Sequence, residues 1–361
     1  MKQKVTEKRN RMVRFLVCLL MLGIFVIGNY LPVKAMLDFM VTPIFPENQR
    51  EIIGNFFDLI MEPGSEQIIE IEIYNGSSET RTYLIDVTIA TTSNGGAINY
   101  HTVEGVLPDS TMGFTLEELV SVSPDVMIES GESVRVPIII TMPAEEFDGV
   151  IALGITVDGG VVEEEEIELP DVGSGMVISH EFATSMALLI RQTEERVDPD
   201  LALLDVRANQ WDHRNVITAT LQNFERAFVH QMYANATVRA VGETEILYER
   251  SASMMQMAPN SNFDFGIHLD GEAFVAGEYA FRIEINSDNG DWVFERNFTI
   301  TSDEADYFNA TDLSIPRTPL WIFIAGGAVL LLILTLIFIR IFKGKTKKTQ
   351  KQLIDDIMKD L

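Results

Sequence analysis

The chain has 361 residues, 47% of them apolar and 22% charged, with 54 acidic side chains against 27 lysines and arginines for a net charge of −27. Such a field repels nucleic-acid phosphates and argues against a nucleic-acid partner. A single cysteine, Cys18, leaves no disulfide framework to build.

The charge is distributed unevenly. Residues 1–35 read as a secretory signal peptide: a basic stretch from Lys2 to Arg14, an apolar run from Phe15 to Ile27, and Val33-Lys34-Ala35 as a cleavage site after Ala35. Cys18 lies inside that run, so the exported chain contains no cysteine, which suits a bacterial surface better than an animal extracellular one. Between Met36 and Thr318 there are thirteen arginines, no lysine and fifty acidic residues, a net −37.

Within this acidic body, apolar and polar residues alternate with the period of two that marks half-buried strands. Ile69, Ile71 and Ile73 alternate with Glu70 and Glu72; Tyr83, Ile85, Val87 and Ile89 line one face, and Val134, Val136, Ile138 and Ile140 another. Pro137 in the last of these points to an edge or a bulge. Only Thr115–Val120 reads as helix, with Thr115 and Glu118 in capping-box spacing. Glu163–Glu166 followed by Pro170-Asp171-Val172-Gly173-Ser174-Gly175 is the clearest compositional break. It divides the body into a first domain, 36–160, a linker, 161–176, and a second domain, 177–303.

The second domain repeats the pattern with Phe263, Phe265, Ile267 and Leu269, then Tyr279, Phe281, Ile283 and Ile285, then Trp292, Phe294, Phe298 and Ile300. Asn289-Gly290 between the last two runs tolerates positive φ and predicts a tight hairpin. The expected fold class is all-β: two tandem immunoglobulin-like β-sandwiches.

A juxtamembrane linker, 304–319, leads to a transmembrane helix, 320–341. Leu320–Ile339 is apolar except for Thr335 and, at 1.5 Å per residue, spans about 30 Å, the thickness of a hydrocarbon core. Arg340, Lys343, Lys345, Lys347, Lys348 and Lys351 follow, so the tail, 342–361, is expected in the cytoplasm and the body outside.

Chemistry is harder to find. There is no Gly-x-Ser-x-Gly, no His-Glu-x-x-His and no phosphate-cradling glycine loop. His101, His180, His213, His230 and His268 are scattered singly, and the oxygens of residues 286–291 lack the spacing of a calcium loop. No catalytic site, metal or cofactor is expected, although so many carboxylates leave a surface hydrolase as a minor third class.

The order of several short motifs resembles the WxL-interacting surface proteins of Gram-positive bacteria. In the first domain these are Pro46-Glu47-Asn48-Gln49, Phe56-Phe57-Asp58-Leu59, Pro63-Gly64, Asn75, the stretch Ala90–Gly96 with Tyr100, and Met142–Gly149. In the second they are Leu203 and Val206, Leu221-Gln222-Asn223, Met257–Phe263, Gly277-Glu278-Tyr279, and Trp292 ahead of Phe298-Thr299-Ile300. The resemblance implies a peptidoglycan-binding first domain and a second that binds a host surface or matrix protein or a WxL-domain surface protein. It also implies a single-pass protein of the cell membrane, displayed at the surface.

Polar loop residues are the natural contacts for glycan hydroxyls and peptide amides, which makes Asn94, Asn99, Tyr100 and His101 candidates in the first domain. Met254, Met255 and Met257 offer a pliable apolar contact for a partner in the second. The alternative is an assembly partner that holds other surface proteins near the membrane without touching wall or host.

Overall fold

The computed structural model describes residues 39–50, 54–159, 182–316 and 324–340. The expected signal peptide, the linker 161–176 and the tail 342–361 lie outside the described residues.

Period-two alternation becomes two pairs of facing sheets. The first pair comprises β1 (Phe39–Ile44), β2 (Phe57–Ile60), β3 (Glu66–Asn75), β4 (Arg81–Ile89), a ribbon of β5 (Thr91–Thr92) and β6 (Ile98–Asn99), the helical turn α1 (Leu116–Leu119), β7 (Val120–Val122), β8 (Asp125–Ile128), β9 (Ser133–Thr141), β10 (Ile151–Asp158) and β11 (Ala183–Arg191). One sheet runs β1-β3-β9-β7, the other β2-β11-β10-β4-β8. Ile69, Ile71 and Ile73 of β3 point inward to meet Tyr83 and Ile85 of β4 in one apolar cluster. Outside, Glu72 lies opposite Arg135 of β9, and both Glu72 and Glu70 pair with it. Each fully buried isoleucine contributes about 1.5–3 kcal/mol of burial, which the exposed pairs do not approach.

Pro137 sits in β9 where the sheet allows it. The neighbouring β7 pairs only with Ile138–Ile140, so the strand is unpaired on that side at Pro137. The capping box forms as expected: the Thr115 amide donates to Glu118 at 2.9 Å.

The second sandwich comprises β12 (Leu201–Trp211), β13 (Arg214–Asn223), β14 (Val229–Ala240), β15 (Tyr248–Met257), β16 (Ser261–His268), β17 (Gly277–Asn286), β18 (Asp291–Ile300) and helix α2 (Ser302–Thr311). Its sheets run β12-β13-β16 and β15-β14-β17-β18, enclosing Phe263, Phe265, Tyr279, Phe281 and Ile283. The β17–β18 hairpin forms, though not through left-handed residues at Asn289-Gly290. Ser287 Oγ accepts from both their amides, at 3.0 and 3.1 Å, and neither residue has a positive φ.

Two boundaries differ from the sequence reading. β11, which follows the acidic linker, does not open the second sandwich: it pairs antiparallel with β10 and parallel with β2, completing the first. Its inward side chains, Leu188 and Ile190, are as apolar as any strand of either sandwich, so composition alone cannot say which sheet claims it. Residues 304–311, placed in a juxtamembrane linker, form most of α2 instead. Thr301 and Glu304 make a second capping box, and Ala305 and Phe308 pack into the second core. Gln210, Asn215, Asn309 and Asp312 tie that helix to β12 and β13, with the Asn215 amide donating to Asp312 at 2.7 Å.

Residues 324–340 are helical with exposed side chains. Among the described residues no helix is long and apolar enough to cross a membrane; the segment 320–341 is described only in part.

Candidate functional site

The polar loop expected to contact a ligand divides between two fates. Ser93-Asn94-Gly95-Gly96 turns the chain between β5 and β6, closed by Gly96 N–H to Ser93 O at 2.8 Å. Gly96 has φ +75°, and a Cβ there would fall 2.5 Å from the Met255 side chain of the second sandwich. Only glycine satisfies both demands. The Gln256 amide donates to Gly96 O at 2.7 Å, and the Asn94 side chain accepts from the Asp264 amide at 3.0 Å. Asn94 is therefore engaged in holding the two sandwiches together.

The rest of the junction is equally specified. Thr92 is buried, with Oγ1 2.6 Å from Ser261 Oγ and accepting from the Ala258 amide at 3.0 Å. Asp109, also buried, accepts from the Gln222 side chain at 2.9 Å, Asn262 at 2.6 Å, and the Thr111 amide and hydroxyl. Burial alone would raise its pKa. The hydrogen bonds from Thr111, Asn262 and Gln222 outweigh that and hold the carboxyl below the ordinary aspartate range. Asn260, at φ +46°, donates to Thr111 O and to Phe224 O. An apolar patch of Ala90, Val150, Ala152, Leu189 and Ala258 seals the contact, and Tyr100 packs against it. Burial raises the pKa of the Tyr100 hydroxyl.

Residues immediately after Tyr100 face the other way. His101 and Thr102 flank a groove of about 530 Å³ on the outer face of the five-stranded sheet, lined also by Leu84, Asp86, Thr156, Asp158, Ala183 and Ser185. Pairing of β4 with β10 places Asp86 opposite Thr156 and Leu84 opposite Asp158. Thr102 donates to Asp86 at 2.5 Å, and the hydroxyls of Thr156 and Ser185 lie 2.8 Å apart. Carboxylates and hydroxyls beside a half-exposed leucine make a shallow surface that can accept hydrogen bonds from hydroxyls, amides or ammonium groups. Gly154 is what allows the loop to lie there, since a Cβ on it would overlap Tyr100 O.

Of the candidates, His101 thus lines the groove, Asn99 sits half-buried in β6, and Tyr100 and Asn94 serve the junction. The methionines also separate. Met255 and Met257 are buried in the second core, whereas Met254 is 75% exposed, in a bulge of the edge strand β15 at φ +60°. Sequence reasoning missed Asp86, Asp158 and Ser185, whose signal is only that they occupy outward positions of three adjacent strands. Among the described residues no group of three or more His, Cys, Asp or Glu could hold a metal ion.

Two family models match, in chain order. Residues 39–159 match the peptidoglycan binding domain of WxL Interacting Protein, and residues 173–310 its host binding domain. The chain belongs to the WxL-interacting protein family. Both matched domains are binding domains, and the family is one of cell-surface proteins. Much of what carries the family resemblance meets at the junction: Thr92, Gly96, Gln222 and Met257–Asn262 all lie there.

Nothing among curated proteins is similar enough in sequence to match. Solved structures are similar only distantly. The YadV chaperone is 11% identical, with 73% of this chain and 100% of that one covered at a TM-score of 0.27. The Pseudomonas aeruginosa CupB2 chaperone is 15% identical, with 66% and 95% covered at 0.26. A PapD-like domain of human CEP192 is 13% identical, with 45% and 94% covered at 0.25. At such scores the likeness carries no argument about arrangement or activity.

Proposed function

We propose that this protein is a membrane-anchored surface adapter, whose first sandwich binds peptidoglycan through the Asp86–Asp158 groove and whose second binds a host protein or a WxL-domain protein. The observation that carries this reading is the pairing of two binding-domain families in one chain across a junction bridged by hydrogen bonds from Thr92, Asn94 and Asp109. A rigid joint suits a protein that must hold two partners at a fixed separation.

The groove supports the wall-binding half. Its acceptors match the hydroxyls and acetamido N–H groups of amino sugars and the ammonium groups of stem peptides, while Leu84 offers an apolar contact for a sugar face. Met254 supports the partner-binding half, as a large apolar side chain displayed on the edge strand of its sheet. The anchor rests on the apolar run Leu320–Ile339 and its basic flank, and the exposed apolar side chains of residues 324–340 agree with a lipid surrounding.

Co-sedimentation of the full-length chain with purified wall sacculi tests the groove. Asp86→Asn combined with Asp158→Asn should lower the bound fraction at least fivefold with an unchanged melting temperature. Full retention by that variant would sink the assignment. Met254→Glu should leave sacculus binding intact and reduce recovery of the second partner from cells expressing a WxL-domain protein.

A further inference from the structure

Arginine is the only cationic side chain other than histidine between Met36 and Thr318, with thirteen copies, and four of them line one cleft. Arg50, Arg191, Arg196 and Arg226 border a cavity of about 480 Å³ on the side of the junction formed by the β13–β14 turn. In a body of net −37 this concentration of positive charge is opposite to the surrounding field.

The cations are held in different ways. Arg50 and Arg191 share one carboxylate, Asp58, at 3.0 and 2.9 Å, so two positive charges face a single negative one. Arg191 uses Nε for that pair, leaving both Nη groups outside it. Arg226 has no carboxylate within 4 Å among the described residues. Its guanidinium lies instead over the rings of Phe114 and Phe147, with the carbon 5.5 and 5.1 Å from their centroids. Its Nη2 donates to Met112 O at 3.4 Å and its Nε has no partner. Stacking of this kind fixes the guanidinium as a plane, with Nε buried and the Nη groups as its outward donors.

Phe228 and His230, which also line the cleft, stack with centroids 5.6 Å apart and give an apolar wall, and Glu194 and Glu195 complete the lining. Those two glutamates and the net charge of the body disfavour a polyanion. They suit a ligand with one negative charge and a neutral or cationic remainder.

We infer that this cleft is a carboxylate-binding site, taking the terminal carboxylate of a short peptide on Arg50, Arg191 and Arg226 while the next residue lies against Phe228. The site shares no residue with the Asp86–Asp158 groove, so it stands or falls independently of wall-glycan binding there. Its two sides come from different sandwiches. Occupancy therefore depends on the junction being closed.

The test uses the full-length chain in mild detergent and titrates it with N-acetyl-trialanine, the corresponding C-terminal amide, and inorganic phosphate, each followed by calorimetry. The acid should bind at least tenfold more tightly than the amide and more tightly than phosphate, and 0.3 M salt should weaken it. Arg50→Gln, at a partly exposed position outside both cores, should reduce the affinity about tenfold; Arg226→Lys keeps the charge but not the planar fork and should reduce it severalfold. Acid and amide binding equally, or no binding of either, would overturn the inference. Phosphate binding more tightly than the acid would assign the cleft to phosphoryl groups and overturn the carboxylate reading.

Discussion

The junction and the groove are built from the same kinds of residue, and the hairpin that enters one leads within a few residues into the other. At the junction, Asp109 collects donors from Thr111, Gln222 and Asn262, and Thr92 is buried between Ser261 and Ala258. In the groove, Asp86 takes one hydroxyl, from Thr102, and lines an open surface. Polar groups already satisfied inside the protein contribute to stability and specificity of packing. Those facing solvent retain capacity for a ligand. Position relative to the second sandwich, rather than residue type, decides which role a side chain has.

Substitutions should separate the two regions by what they damage. The largest effect is expected from Gly149→Ala. Gly149 has φ +89°, and a Cβ there would overlap the Arg226 carbonyl, whose oxygen also accepts from Val150 N–H at 2.8 Å. Thermal unfolding should report a loss of about 3 kcal/mol, and small-angle scattering a change in the relation of the sandwiches. Asp109→Ala follows, at about 2–3 kcal/mol by denaturant titration, because it removes a buried carboxylate that accepts from Thr111 and from the part-buried amides of Gln222 and Asn262.

The same carboxylate gives a pH dependence whose sign is set by its depressed folded pKa. Its contribution should be complete above the ordinary aspartate value of 3.8 and fade as pH falls through the lower folded value. A junction that weakened on raising the pH from 6 to 8 would contradict this. Thr92→Val, which keeps the shape and deletes the hydroxyl, should cost about 1–2 kcal/mol in the same denaturant titration. Thr301→Ala, removing the cap of α2, should cost about 1 kcal/mol, seen as a small drop in melting temperature. Asp86→Asn should leave unfolding unchanged and reduce only sacculus binding. A groove substitution as damaging to stability as Thr92→Val would erase the distinction.

The strands were legible because alternation is local: the inward faces of β3, β4, β16 and β17 can be read directly from their isoleucines and aromatics. The capping box at Thr115 was legible for the same reason. That at Thr301 carries the identical Thr-x-x-Glu signal, but it lies in a stretch whose proximity to the apolar C-terminal run suggested a linker. The junction could not be read, since its hydrogen bonds join residues more than a hundred positions apart, Asn94 to Asp264 and Asp109 to Gln222 among them. Without the second sandwich in view, Asn94 and Tyr100 look like free loop residues. The groove was legible only at His101, because outward positions of separate strands become neighbours through register alone.

The return of β11 to the first sandwich has a further consequence for how the chain may be cut and rejoined. Gly159 donates to Phe182 O at 2.9 Å, so the acidic segment between them leaves and re-enters at adjacent points of one sheet. A protease nick inside that segment would not release two halves, because the ladder from Ile151 to Asp158 against β11 would still clasp them. The fragments would co-migrate until denatured. The same proximity makes this a natural place for an inserted reporter, at a position that composition marks as a seam between domains and strand pairing assigns to one of them.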